Sequence, residues 1–287
     1  MPKIPNQSTN WDFTVQRMRM HLADGTPLNE WANIRTDTKQ SVGVVSEKGY
    51  GLLQNGGFVG TVREALDGLG LVGYQESILT TDDGRRLYAT YTWDNRVRTI
   101  AKVGDKVGLR LRFSNSFDGS CCARGELMAM VLRCLNGMTL PEAEFSLYQR
   151  HNPKINMDFA RKVIANAVTS FDASLAVFDK LANKAITDEQ GVTILSNLPI
   201  AERTAEAIGN IWLRPSFAES HARTLYALYD AVTEYLRDVE AKRFEHAAKT
   251  NRAVLRRLLA GLDDDGFNAL TTKIIEIDTS VQIEENQ

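Results

Sequence analysis

Two stretches of the sequence decide the fold: residues 74–93, YQESILTTDDGRRLYATYTW, and residues 106–116, KVGLRLRFSNS. In both, apolar and polar residues alternate, which is the pattern of β-strands with one buried face. Asp83-Gly84 stands in the middle of the first stretch and is typical of a tight hairpin turn. The sequence therefore predicts an antiparallel sheet with one apolar face. Its apolar residues are Leu87, Ala89, Tyr91, Trp93, Val107, Leu109, Leu111 and Phe113.

The opposite face of this sheet is predicted to be basic. Between residues 85 and 112, eight lysine and arginine residues are opposed by two acidic residues. Proteins that hold single-stranded nucleic acid without sequence preference combine a cationic groove with aromatic rings, although charged side chains on exposed strands also keep a sheet soluble. The candidate contacts are Arg86, Tyr88, Arg110 and Arg112 on the face itself, Arg96, Arg98, Lys102 and Lys106 in the connection between the strands, and Ser114, Asn115 and Ser116 at the end of the second strand.

Two other polar features are weighed as sites. Residues 114–120, SNSFDGS, are dense in small polar groups. We favour a tight turn at Asp118-Gly119, and the alternative is a loop that contacts phosphates at a binding cleft. His151 follows Arg150, and we expect a loop or capping role for it rather than a phosphate contact.

The rest of the first half is predicted to contain further strands and a helix. Residues 11–22 alternate with one shift of phase, as a strand with a bulge does. Residues 41–55, SVGVVSEKGYGLLQN, predict a hairpin. Residues 57–69 have the apolar spacing of a helix, whereas residues 126–135 are too uniformly apolar to assign.

The second half is predicted to be helical from about residue 155. Thr187 and Gln190 have the spacing of a capping box. The apolar stripes are Phe159, Val163, Ala167, Phe171, Leu175, Phe178 and Leu181, then Leu225, Leu228, Val232, Tyr235, Leu236 and Val239, and then Val254, Leu255, Leu258 and Leu259.

The expected fold class is therefore α+β. Residues 1–150 form an antiparallel sheet domain with one or two helices, the candidate nucleic-acid-binding core. Residues 151–287 form an all-helical region for packing or oligomerisation, with a short acidic tail at 276–287.

Composition narrows the class of protein. The chain has 287 residues, 43% hydrophobic, and a net charge of −2, which argues against a strong, indiscriminate nucleic-acid binder. No apolar run approaches the roughly 20 residues that cross a bilayer, and the N-terminal segment is polar. We expect a cytoplasmic protein with no membrane contact. The cysteines, Cys121, Cys122 and Cys134, are odd in number and are expected to be free thiols.

No catalytic, cofactor or metal motif stands out. The absence of GxxxxGK[ST] predicts a protein that works without ATP. Gly68, Gly70 and Gly73 spell GxGxxG, but the predicted helix precedes them, the reverse of the dinucleotide-binding order. None of the histidines has metal-site spacing. We therefore expect no cofactor, no metal and no catalytic residue.

Four segments carry a family resemblance: IRTDTKQSVGVVSEKGYGLLQN at 34–55, FSNSFDGS at 113–120, RCLNGM at 133–138 and TLYALYDAVTEYL at 224–236. In this order and spacing they resemble the phage- and plasmid-encoded domain-of-unknown-function family 932, over roughly residues 30–240. The resemblance implies a mobile-element origin and a bacterial host cytoplasm, but no catalytic residue. Residues 57–137 are also similar, in topology alone, to the core of Rad52-like single-strand annealing proteins.

These features give two leading hypotheses. The first is a phage or plasmid protein that binds and anneals single-stranded DNA without ATP and works as a homo-oligomer. The alternative is a protein-interaction module without DNA binding that acts on a host factor, for example to block a host defence. A hydrolase or nuclease ranks last, because no nucleophile with a base and no paired carboxylates are found.

Overall fold

The computed structural model of the chain describes residues 10–81, 84–100, 102–131, 136–139, 146–215 and 222–272. In these ranges the first half of the chain is mainly strand and the second half is helix. The strands are β1 (Val15–His21), β2 (Pro27–Arg35), β3 (Ser41–Ser46), β4 (Gln75–Thr80), β5 (Arg86–Ile100), β6 (Asp105–Ser116), β7 (Ala123–Val131), β8 (Asn136–Thr139) and β9 (Ser146–Gln149). The helices are α1 (Asn55–Gly68), α2 (Asp158–Asn183), α3 (Asp188–Ser196), α4 (Glu202–Leu213), α5 (Leu225–Ala260) and α6 (Asp264–Thr271).

The strands form two antiparallel sheets. The small sheet has the order β1-β2-β3. The large sheet runs β4-β5-β6-β7. Both β8 and β9 pair with the edge of β7 that lies away from β6. The predicted α+β class is confirmed, with two sheets where the sequence indicated one.

The inner face of the large sheet is the apolar face that the sequence predicted. Tyr91, Trp93, Leu111 and Phe113 are fully buried there. α1 and α2 cover this face, and Phe58 of α1 lies against Phe113, with ring centroids 6.5 Å apart. Burial of each large apolar side chain contributes about 1.5–3 kcal/mol, so this layer stabilises both the sheet and its helices.

The helical half packs onto the same core. All of the predicted stripe residues in α2 and α5 whose side chains are described are buried or half-buried. The capping box at Thr187 and Gln190 is confirmed at the start of α3. One hydrophobic core thus runs across residue 150. The division of the chain there marks a change in secondary structure, and whether it separates folding units stays a prediction.

α5 is not a straight helix. The Tyr229 hydroxyl donates a hydrogen bond to Asn251 Oδ1, although the two residues are 22 positions apart. In a straight helix they would be about 33 Å apart. The chain therefore reverses between them, which brings residues 225–236 of α5, the first arm, next to residues 249–260, the second arm.

Two predictions about the first half need correction. The hairpin over residues 41–55 is wrong, because β3 pairs with the preceding strand β2. The segment after β3 forms a different contact: the Gln54 side chain bonds both the backbone N–H and the carbonyl of Val15. It thereby takes the place of a strand partner. The bulge in the first strand exists, but it lies between Arg19 and His21, beyond the predicted phase shift.

Several sequence features fall at turns or outside the described residues. Gly70 and Gly73 have positive φ angles of 67° and 76° in the turn after α1, which accounts for two glycines of the rejected GxGxxG pattern. Gly84, with a φ of 73°, ends the predicted hairpin turn. Asp83, Cys134 and the acidic tail lie outside the described residues.

We expect the sheet–helix contact to tolerate no added carbon at Gly125. A Cβ there would lie 2.6 Å from Phe113 Cε1 and 3.1 Å from Val163 Cγ2. Gly125→Ala should therefore lower the free energy of unfolding by about 1–3 kcal/mol in urea titrations. Gly60→Ala in α1, where a Cβ meets nothing within 4 Å, is the control and should raise it by about 0.5–1 kcal/mol. Equal stability of the two variants would contradict this packing.

Candidate nucleic-acid interface

The outer face of the large sheet is the face opposite the core. Between β5 and β6, Thr92 pairs with Arg110 and Tyr88 with Ser114. On the other edge of β6, Ser114 pairs with Arg124 of β7. The prediction that the β5 and β6 residues share one face is confirmed. Among the described residues this face includes Arg86, Tyr88, Thr90 and Thr92 of β5, Lys106, Arg110, Arg112, Ser114 and Ser116 of β6, Arg124, Glu126 and Met128 of β7, and Tyr148 of β9.

The centre of this outer face is buried. Tyr88 is 7% exposed, Arg112 6% and Met128 2%. Tyr88 therefore has no open ring surface on which a base could stack. Solvent reaches the face at its margins, where Lys106 and Tyr148 are exposed and Arg110 is half-buried.

Glu126 gathers three arginines on the outer face, and we call this group the arginine cluster. Arg112 and Arg124 each place a guanidinium nitrogen 3.4 Å from a carboxylate oxygen of Glu126. Arg252, from the second arm of α5, donates a hydrogen bond to the same carboxylate. Burial raises the pKa of Glu126, but the three guanidinium groups outweigh it and hold the pKa below its usual value. Three guanidinium groups thus meet at one carboxylate.

The arginine cluster opens to solvent beside an exposed ring. The Arg124 guanidinium carbon lies 6.0 Å from the centroid of the Tyr148 ring. The Arg124 side chain is 34% exposed, and Tyr148 is 62% exposed. A phosphate and a neighbouring base could contact these two groups at the same time.

Three of the four contacts predicted for the connection between the strands lie outside the regular part of the outer face, and the fourth, Lys106, lies in β6. β5 and β6 extend through most of the presumed connection, so Arg98 lies within β5 opposite Val107, on the inner face. Arg98 there forms an ion pair of 3.0 Å with Asp179 of α2. Lys102 lies in the turn and its ammonium is 3.5 Å from the carbonyl oxygen of Asn183. Arg96 lies in an irregular segment of β5 where the register shifts.

The polar segment at 114–120 has a structural role. Asn115 is fully buried and donates hydrogen bonds to the Leu53 carbonyl and to Asn55 at the start of α1. The Ser116 carbonyl accepts a hydrogen bond from the Tyr50 hydroxyl, 2.7 Å away. Asp118 Oδ1 accepts from the Ser120 amide at 2.9 Å, so the turn that we favoured at Asp118-Gly119 forms.

His151 lies in the junction between this turn and the small sheet. Its ring stacks on Tyr50 with centroids 5.1 Å apart, and Nδ1 lies 3.2 Å from the Gly51 carbonyl oxygen. Burial lowers the pKa of His151, and the Gly51 bond and the Asp118 carboxylate oppose that shift only in part. The histidine is therefore a buried loop residue, in agreement with the structural role that the sequence favoured.

Sequence reasoning missed four residues of this interface: Glu126, Arg124, Tyr148 and Arg252. Glu126 and Arg124 lie in β7, most of which was left unassigned, and Tyr148 lies in a strand of four residues that alternation cannot reveal. Arg252 is 126 positions from Glu126 along the chain. Only the tertiary structure brings these side chains together.

The described part of the chain contains neither a cluster of metal ligands nor a membrane-spanning helix. No three His, Cys, Asp or Glu side chains come together there as ligands of a metal ion. None of its helices has the length and apolar character needed to cross a membrane.

The fold and this outer face define an α+β protein with an arginine-rich sheet surface. Residues 41–259, more than half of the chain, match the family model described as "Domain of unknown function (DUF932)". The chain belongs to this family. No curated protein and no solved structure matches this chain. The topological similarity to Rad52-like proteins therefore gains no support from these comparisons.

The burial of His151 predicts a pH dependence of stability. Because its pKa is lower in the folded chain than the value of about 6.5 in an unfolded chain, the unfolded state takes up the proton first as the pH falls. Stability should therefore be complete above about pH 6.5 and decline as the pH drops below it.

Urea titrations between about pH 7.5 and about pH 5, above the range where carboxyl groups titrate, measure this effect. His151→Phe keeps an aromatic ring against Tyr50 and should flatten the dependence, whatever its effect on absolute stability. His21→Gln, at an exposed position of β1, is the control and should keep the wild-type slope. An unchanged slope in His151→Phe would refute the assignment.

Proposed function

We propose that this protein binds single-stranded DNA at the margin of the outer face and promotes annealing of complementary strands without ATP. The observation that supports it best is the pairing of Arg124 with the exposed ring of Tyr148 beside the arginine cluster. Cationic groups for the backbone and an aromatic ring for a base are the two components of non-specific single-strand binding. This location replaces Tyr88, whose ring is buried.

The charges of the arginine cluster favour an anion at this position. Arg124 and Arg252 both contact the carboxylate of Glu126. Arg124 and Arg252 keep part of their side-chain surface in solvent, 34% and 21%. A phosphate that approaches from solvent would therefore contact these two guanidinium groups without breaking the buried pair of Arg112 with Glu126.

The same geometry suits annealing better than protection of the bases. A platform with the ring of Tyr148 engages one base, and the neighbouring bases of the strand stay open to pair with a second strand. No nucleotide cofactor is needed for this reaction. A homo-oligomer is part of the proposal, but the stripes of α2 and α5 pack inside the chain, so another surface would join the subunits.

Binding to labelled oligothymidine should depend on the ring of Tyr148. Tyr148→Leu is expected to weaken binding about 10-fold, since stacking contributes about 1–3 kcal/mol per base. Tyr148→Phe keeps the ring and should bind as the wild type does. Fluorescence anisotropy titrations at low and moderate salt measure both, followed by an annealing assay with complementary strands. The proposal fails if the wild-type protein does not bind at low salt or if Tyr148→Leu binds unchanged.

A second candidate function, a protein-interaction module that acts on a host factor, is favoured by the small sheet. Cross-strand pairs align Met18, Ala32 and Val44 in one row across its three strands. Met18 is 57% exposed and Val44 52%. An apolar row on an open sheet surface is a common feature of protein contacts.

The two candidate functions differ in whether they need this apolar row. Val44→Asp should abolish capture of a host partner if the protein is an interaction module, and it should leave oligothymidine binding unchanged if the outer face is the functional site. Pull-down from host lysate and anisotropy on the same variant measure both. Val192→Asp changes an exposed apolar residue of α3 and is the matched control.

A further inference from the structure

The second arm of α5 presents a basic surface on the side that faces away from the core. Its inner side, with Val254, Leu255 and Leu258, is buried in the core. The described residues 249–260 contain four cations and no acidic residue. We call these cations, Lys249, Arg252, Arg256 and Arg257, the α5 basic face.

Three of these cations form one line along the helix. Positions 249, 252 and 256 are three and four residues apart, so their side chains are neighbours on one side of an α-helix. Lys249 and Arg256 are exposed, and Arg252 is half-buried. The line is about 10 Å long from Lys249 to Arg256 at 1.5 Å per residue.

Arg252 connects this line to the outer face of the large sheet. Its guanidinium donates to Glu126, which also contacts Arg124 beside the Tyr148 ring. The α5 basic face and the arginine cluster therefore share Arg252. Beside Arg256, the residues that line a shallow surface groove include Leu198, Pro199 and Ala253, which offer apolar surface next to the cations.

We propose that the α5 basic face is a second phosphate-binding surface, which binds the backbone of the same DNA strand that stacks on Tyr148. This inference rests on the proposed function and extends it: the ligand is a single strand long enough to reach from the sheet to the helix. The strand passes Arg252 and continues along Lys249 and Arg256. A short strand occupies the sheet part alone.

The test compares the double variant Lys249→Gln/Arg256→Gln with the wild type on oligothymidines of about 4 and about 20 nucleotides, since single-strand sites span about 4–16 nucleotides. Affinity is measured over a series of salt concentrations. Each lost phosphate contact lowers the slope of log K against log salt by about 0.7 on a single strand. For the double variant, the slope of log K against log salt should therefore be smaller by about 1.4 on the long strand and unchanged on the short one.

The control removes two exposed cations elsewhere, in Arg161→Gln/Arg203→Gln, at positions on α2 and α4. It should keep the wild-type slope on both strands. If the double variant on α5 behaves like this control while Tyr148→Leu still weakens binding, the inference is wrong and the proposed function stands. If the wild-type protein binds neither strand, the proposed function itself fails. Equal losses on both strands would also overturn the inference, because the short strand would then reach α5.

Discussion

The architecture depends on one buried carboxylate. Glu126 is almost completely enclosed, and a buried charge is tolerated only when it is paired. Its partners come from β6, from β7 and from the second arm of α5, so one side chain links two adjacent strands of the large sheet to a distant helix. Removal of one partner of such a buried pair costs about 3–5 kcal/mol. The arginines of the cluster are therefore held in place by the fold.

A second constraint joins the two sheets. Side chains bond backbone carbonyls at the end of β6 and in the turn after it: Asn33 of β2 donates to the Phe117 carbonyl, and Tyr50, which follows β3, donates to that of Ser116. Gly43 faces the same turn, where a Cβ would lie 2.5 Å from the Phe117 oxygen. Two of the segments that carry the family resemblance, residues 34–55 and 113–120, meet at this junction.

The distribution of charge matters more than its sum. The chain as a whole is slightly acidic, with a net charge of −2. The fold nevertheless brings Arg124 and Arg252 to one margin of the outer face, while Arg98 is neutralised by Asp179 on the inner side. A local surface of one sign attracts an anion even on a nearly neutral protein. Salt dependence is for this reason a more direct test of the proposed site than overall charge.

The sequence by itself determined the class of fold and the faces of its strands. Alternation placed Tyr91 and Phe113 inside and Arg110 outside, because side chains of a strand with one buried face alternate at a fixed period of two. Helical spacing likewise placed Phe178 in the core. Only the tertiary structure decided which polar residues of the outer face reach solvent, and it buried Tyr88 and Arg112 while exposing Tyr148. It also brought Arg252 to Glu126. The physical reason is that local periodicity records which side of an element faces the core, whereas the cover over the other side comes from residues far away in the chain, whose positions no local pattern contains.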